Sequence, residues 1–218
     1  MHVIGALAPP RFDDEFRRQL RELFAWRRDV RRFRSDPIDP STIEEILDVA
    51  CLAPSVGNSQ PWRFVAVDDL SRRARVSETF RRCNREALED YSGARAALYA
   101  QLKLAGLAEA PFHLAVFVDE GTTAGHGLGR RTMPETLHYS AVTAVYAFWL
   151  AARAYGLGVG WVSILNPSDV TEILEVPTEW SLVAYLCVGY PQEECVDPEL
   201  ERYGWQTRDD RSRLVLRR

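Results

Sequence analysis

The chain has 218 residues, enough for a single domain with a sizeable core, and its 46% hydrophobic and 27% charged residues are ordinary for a globular protein in water. A formal net charge of −4 excludes general nucleic-acid binding, which needs a basic surface against the phosphates. Lys103 is the single lysine, so positive charge is otherwise carried by guanidinium, and Schiff-base chemistry has one candidate only.

The opening residues "MHVIGALAPPRF" have no basic stretch leading into a long apolar core and do not read as a signal peptide. "FDDEFRRQLRELF" then sets Phe12, Phe16, Leu20, Leu23 and Phe24 at helical spacing. "DPSTIEEILDVACLAP" is a second helix. It starts at Asp39 with Pro40 in its first turn, or at Ser41 with Glu44 as a capping box, and stops at Pro54. "WRFVAVDD" alternates and is rich in aromatic and β-branched residues, as a strand is. From about Ser71 to Ala110 the pattern is helical with a break near Gly93, and "HLAVFVDE" is a second strand.

"GTTAGHGLGRRTMPET" is a long Gly- and Thr-rich loop, the kind that serves as a lid or binding loop or stays disordered. Glu135 to Tyr155 is a long helix, apolar nearly all round and therefore expected to be buried. Its run Ala141–Ala152 is broken by Thr143 and too short to span a bilayer. "GLGVGWVSIL" reads as a strand, "NPSDVTEIL" as a short helix capped by Asn166 with Pro167 at its first position, and "SLVAYLCVGYP" as the last core strand. The tail from Pro191 to Arg218 carries Tyr203, Trp205 and several arginines but too few apolar residues to fold alone. It is expected to pack on something else, such as a partner subunit. Scattered strands between helices indicate one α+β or α/β domain.

Several chemistries can be set aside. Cys51, Cys83, Cys187 and Cys195 form no CxxC pair. Cys51 and Cys187 lie in apolar runs and read as core, and the whole set fits a reducing, cytoplasmic setting without disulfides. "GHGLGRR" has glycines at GxGxG spacing and does not join a strand to a helix, as a dinucleotide fingerprint must. His2, His113, His126 and His138 show no paired ligand spacing, so no metal is expected. Ser55 in "SVG" is not a nucleophile elbow.

What remains is a group of pieces far apart in sequence. In "WRRDVRRF", Arg27 and Arg31 are four apart and on a helical turn would grip a phosphate from one face. "APSVGNSQPW" offers Ser55 and Asn58 on a loop before Trp62 enters the core. "GVGWVSI" supplies glycines where a flat ring could approach a backbone. Together they describe a pocket for a phosphorylated planar cofactor.

The order "RRDVRRF", "APSVGNSQPW", "GLGVGWVSI" resembles the nitroreductase-like FMN-dependent superfamily over about residues 20–190. That resemblance implies an α+β, three-layer α-β-α fold with a mixed central sheet, and an obligate homodimer with FMN at the subunit interface. By match, Arg27, Arg28 and Arg31, with Val30 between them, would hold the phosphate and ribityl chain. Ser55 and Asn58 would serve the ring edge, and Gly160 with Trp161 would line the ring. One tail arginine, Arg208 or else Arg211 or Arg213, would complete the phosphate site.

Asp29 departs from that pattern, which has serine there. A carboxylate beside a phosphate adds repulsion that guanidiniums must offset. Either Asp29 is structural, capping a turn or pairing with Arg32, or it does acid/base work on the sugar chain of the flavin. With "TMPET" and Ser163 of "GWVSIL", the chain is similar to the flavin-destroying branch, the 5,6-dimethylbenzimidazole synthases. That likeness implies Asp29 and Ser163 as catalytic residues, with reduced FMN as substrate and dioxygen as oxidant. It implies 5,6-dimethylbenzimidazole and erythrose 4-phosphate as products, a separate flavin reductase as supplier, and a lid around 95–135. The competing expectations are an NAD(P)H-dependent FMN nitroreductase or dehalogenase, and a non-catalytic FMN carrier.

Overall fold

The alternating and apolar runs singled out above pair into one sheet in the computed structural model, which describes residues 9–210 and 214–218. Strands β1 (Trp62–Ala66), β2 (Phe112–Asp119), β3 (Gly158–Val162) and β4 (Trp180–Gly189) are arranged in the order β1-β2-β4-β3. β2 is buried through its six central residues, so both faces of the sheet are covered. Leu114 and Val116 point to one face and Ala115 and Phe117 to the other, as a two-residue repeat requires.

On the first face lie α5 (Thr136–Ala154), through Val145, Phe148 and Trp149, and α2 (Pro40–Ala50), through Ile46 and Ala50. On the second lie α3 (Leu70–Glu89), through Val76, and α6 (Pro167–Leu174), through Val170 and Ile173. The three-layer α+β expectation stands. The sheet itself differs from a mixed one: its three strand pairs are antiparallel, and the parallel element is a single bridge between Asp29 and Val159.

Helix starts follow their caps. Asp39 Oδ1 accepts the Ser41 N–H at 2.9 Å with Pro40 in the first turn, so Asp39, not a Ser41–Glu44 box, begins α2. Asn166 caps α6 in the same way, accepting from Ser168 N–H at 2.9 Å. The helical stretch expected up to Ala110 ends earlier. α4 (Gly93–Gln101) closes at Leu102, and the chain then leaves the helix so that Gly106 can lie against Phe33.

Two expectations about burial are corrected. Cys51 is exposed, because it stands at the C-terminal cap of α2 rather than on its inner face. α5 is not buried all round: Tyr139, Val142 and Tyr146 form an exposed stripe at helical spacing. α1 (Asp14–Trp26) has no buried residue and exposes Phe16, Leu20 and Phe24, the last with its ring 5.9 Å from that of Tyr146. The two helices thus share an uncovered apolar face.

The tail makes contacts within its own chain. Its first part packs on its own chain: Gln192 Nε2 donates to Phe33 O at 2.8 Å, and Arg95 Nη1 donates to Trp205 O at 3.0 Å. Trp205 closes an aromatic group with Tyr91 and Tyr99 at centroid distances of 5.5 and 6.0 Å, tying α4 to the tail beyond α7 (Glu199–Arg202).

Candidate active site

The basic segment does not form a helical turn. α1 stops at Trp26, Arg27 is extended, and residues 27–35 run out along the edge of the sheet. Val30 N–H donates to Val159 O at 3.0 Å; further on, Arg34 N–H donates to Tyr190 O at 2.8 Å and Gln192 N–H to Arg32 O at 3.0 Å. Arg27 and Arg31 therefore share no helix face. In extended backbone it is residues two apart that face the same way, and Asp29 pairs with Arg31 rather than Arg32.

The glycines of "GVGW" explain how this segment fits. A Cβ on Gly160 would lie 2.1 Å from the Val30 carbonyl oxygen, and one on Gly158 would lie 2.7 Å from a Val30 methyl. Those glycines permit the close approach of the chain's own Val30.

Asp29 is held at both oxygens. Its Oδ1 accepts the Trp161 N–H at 2.9 Å and its Oδ2 meets Arg31 Nε at 2.7 Å. The carboxyl sits on the floor of a recess of about 30 Å³, with 30% of its side chain still reachable through the opening. Burial raises its pKa above the ordinary carboxylate value, and the Arg31 charge and the Trp161 N–H act against that rise. Arg31 is itself fixed, donating from Nη1 to Lys103 O at 3.1 Å, while Arg32 is taken up by Glu199.

Arg27, Arg28 and Arg208 behave differently. No carboxylate among the described residues lies within ion-pair range of any of them. Arg27 rests its guanidinium 4.8 Å over the Trp149 ring and buries its Nε without a partner. Arg28 donates to the carbonyls of Arg27 and Val196, and Trp149 Nε1 donates to Arg28 O at 3.2 Å. Burial, then the charges of Arg208 and Arg27, pull the Arg28 pKa below the usual guanidinium value. Three neighbouring guanidiniums outside any direct ion pair among the described residues, one with an orphaned buried N–H, fit a phosphate group, while Asp197 and Glu201 act on Arg28 from further off. Arg211 and Arg213 lie outside the described residues.

Ser55, Asn58 and Ser163 are not joined to this group by any hydrogen bond or ring contact among the described residues. Ser55 Oγ accepts from Gln60 N–H at 3.0 Å, and Asn58 is exposed at φ +54°. Their loop is anchored on α5, where Val56 N–H donates to Ser140 Oγ at 3.0 Å and Thr143 Oγ1 donates to Pro54 O at 2.9 Å. Ser140 and Trp149 are roughly 13 Å apart along α5 at 1.5 Å per residue, so one chain keeps the loop and the arginines at separate stations. The glycines of "GHGLG" pack against this loop: a Cβ on Gly125 would stand 2.7 Å from Gly57 O. Ser163 is exposed just past β3, on the same side of the strand as Trp161 and roughly 7 Å further along.

Trp149 and Glu199 were not singled out from sequence, and Lys103 stood out only as the single lysine. Trp149 looks like one more core residue of an apolar helix, and Lys103 acts through its backbone carbonyl, which no side-chain pattern reveals. A surface hollow of about 900 Å³ lies elsewhere, under Glu120, Thr122, His126, Arg130, Glu135 and His138. It is broad and open, whereas the buried carboxyl and the unpaired guanidiniums converge at Asp29. Among the described residues no three His, Cys, Asp or Glu side chains could hold a metal ion.

The nitroreductase family model matches residues 24–190. The chain is 59% identical to a 5,6-dimethylbenzimidazole synthase of Rhodospirillum rubrum, over 96% of this chain and 98% of that one. It is 47% identical to a protein of the same description from Rhodobacter capsulatus, over 89% and 94%. Its backbone resembles a crystal structure of oxidized iodotyrosine deiodinase bound to FMN and 3-iodo-L-tyrosine. The TM-score is 0.71 and the identity 26%, covering 91% of this chain and 97% of that one.

Proposed function

Because this chain belongs to the nitroreductase family, and within it to the 5,6-dimethylbenzimidazole synthases that make the lower ligand of cobalamin, we propose that it fragments reduced FMN with dioxygen, releasing 5,6-dimethylbenzimidazole and erythrose 4-phosphate. The observation that supports this reading above all is a half-buried carboxyl, Asp29, next to Arg27 and Arg28, which are in no direct ion pair among the described residues. A flavin that is merely recycled gives Asp29 no task. A flavin whose sugar chain is cleaved needs an acid/base group along that chain, toward its ring end.

Reduced FMN, with dioxygen, brings the redox chemistry; the chain's residues bind, orient and move protons. Arg27, Arg28 and Arg208 would hold the phosphate at the C5′ end of the ribityl chain, and Asp29 would serve the chain toward its other end. Asp29 moves a proton at the ribityl C1′. Burial brings its pKa up from the ordinary value while Arg31 restrains the rise, and a carboxyl balanced in this way can both take and return a proton. Ser163, exposed at the end of β3, orients the ring through its hydroxyl. Residues 95–135, with α4 clasped by Trp205 and the Gly125 loop seated on Gly57, form a lid that keeps water out.

Ser55 and Asn58 serve the ring of a second copy. The uncovered face of α1 and α5 supports a homodimer, and in it the stations separated along α5 come together across the interface. A separate flavin reductase supplies reduced FMN. Four free cysteines are consistent with a cytoplasmic location.

The test is direct. Protein is mixed with stoichiometric chemically reduced FMN, air is admitted, and products are followed by chromatography and mass spectrometry beside an Asp29→Asn variant. Dimethylbenzimidazole from wild type and none from the variant is the expected result. If both return only oxidised FMN, the synthase reading falls and reduction of nitro or halogenated aromatics by NAD(P)H is assayed instead.

A further inference from the structure

Resting on Asp29 as the proton-transfer group, we propose that Arg31 is a positioning residue rather than a phosphate ligand: it aims the Asp29 carboxylate and keeps it charged, and the chain after α4 holds Arg31 to that task.

Three contacts carry this. Arg31 Nε is engaged by Asp29 Oδ2 at 2.7 Å, while the other carboxylate oxygen is fixed by the Trp161 N–H at 2.9 Å, so the plane of the carboxylate is set from two elements. Arg31 Nη1 reaches Lys103 O at 3.1 Å, and its side chain is only 12% exposed. Gly106 seats the same segment: a Cβ there would stand 2.3 Å from the Phe33 ring and 3.2 Å from the Arg31 carbonyl. Lys103–Gly106 thus grips residues 31–33 at two points. A guanidinium committed to a carboxylate and a carbonyl differs in kind from the unpaired Arg27, Arg28 and Arg208.

The charges around Asp29 make the idea testable by sign. Burial favours its neutral form, and Arg31 is the leading influence opposing burial. Glu199, from α7, favours the neutral form and is itself paired with Arg32. Cys187 faces Asp29 from β4 as a buried thiol whose pKa is pushed up. Arg28, Glu193, Asp197 and Arg202 complete the charged wall of the recess. Removing Arg31 leaves burial opposed mainly by one N–H, so Asp29 holds its proton to higher pH. Neutralising Glu199 acts the other way.

The experiment follows the Asp29 carboxyl by carbon-13 NMR in flavin-free, full-length protein labelled at aspartate carboxyl carbons, with the resonance assigned by its loss in Asp29→Asn. In Arg31→Gln the titration midpoint should rise by about one pH unit or more, the range expected for an opposite charge at this distance. Arg31→Lys should restore most of that shift, and Glu199→Gln should lower the midpoint, a pair of opposite signs that general loosening cannot produce. In turnover, Arg31→Gln should lower kcat and move the acid limb of the pH profile upward, with KM for reduced FMN little changed. An unmoved midpoint in Arg31→Gln, or a raised KM with kcat and pH profile intact, overturns the proposal. The titration needs no product, so a wild type that makes no dimethylbenzimidazole would sink the synthase reading and leave the Arg31–Asp29 coupling standing on its own result.

Discussion

The segment Arg27–Phe33 and the loop Ser55–Gln60 are both expected to meet one ligand, yet they are built in opposite ways. The first is sewn to β3 and to residues 190–192 on its two sides, with Asp29 held at both oxygens and Phe33 only 1% exposed against glycines. The second is held through its backbone to α5 and the 124–129 loop, with Gly57, Asn58 and Gln60 at positive φ and the Asn58 side chain exposed. Proton transfer tolerates little misplacement, so its group sits on regular structure with a fixed surround. In the function proposed above, a ring-edge contact would be made when ligand and second copy arrive, and the Asn58 side chain is exposed for it.

That contrast can be broken first at Asp29. Asp29→Asn should cut dimethylbenzimidazole formation by about a hundredfold or more, the scale of a lost acid/base group, with FMN binding retained by fluorescence titration. Arg28→Ala and Arg208→Ala should do the reverse: about ten- to a hundredfold weaker FMN binding each, from one lost charge-assisted contact of about 1.5–3 kcal/mol, and kcat at saturation close to wild type. A result in which Arg28→Ala spares binding would move the phosphate away from this cluster.

Gly160→Ala tests the rigidity of the first segment. With the added carbon 2.1 Å from Val30 O, overpacking of about 1–3 kcal/mol should appear as a lower urea midpoint, together with lost activity as Asp29 is displaced. Gly125→Ala, at φ +75° and 2.7 Å from Gly57 O, should cost about 1 kcal/mol of stability and raise KM more than it lowers kcat. If the two glycine variants gave the same kinetic pattern, the distinction between the segments would not hold.

How much of this was readable from sequence depends on whether the signal is local. The caps of α2 and α6, the alternation in β1 and the apolar run of β2 are local, and the structure agrees with them. The four-residue spacing of Arg27 and Arg31 puts them on one helix face only if the helix runs on to residue 31, and α1 ends at Trp26, before either arginine. The glycines of "GVGW" announce that something comes close without saying what; it is Val30, more than a hundred residues upstream. An all-apolar α5 reads as core because sequence does not distinguish a face that this chain buries from one that it leaves uncovered. The phosphate arginines were legible as a cluster, but their division into unpaired (Arg27, Arg28) and committed (Arg31) depends on Lys103 O and Asp29 lying where the fold puts them.

Lys103 has a practical side. Apart from the α-amino group, it is the one amine in the chain, and its side chain is 30% exposed beside Glu109. A dye or crosslinker aimed at amines therefore has a single side-chain address, on the very residue whose carbonyl steadies Arg31. The protein comes with its own reporter: emission from a label at that spot would register whether the stretch behind the site is seated or lifted, with no engineered cysteine.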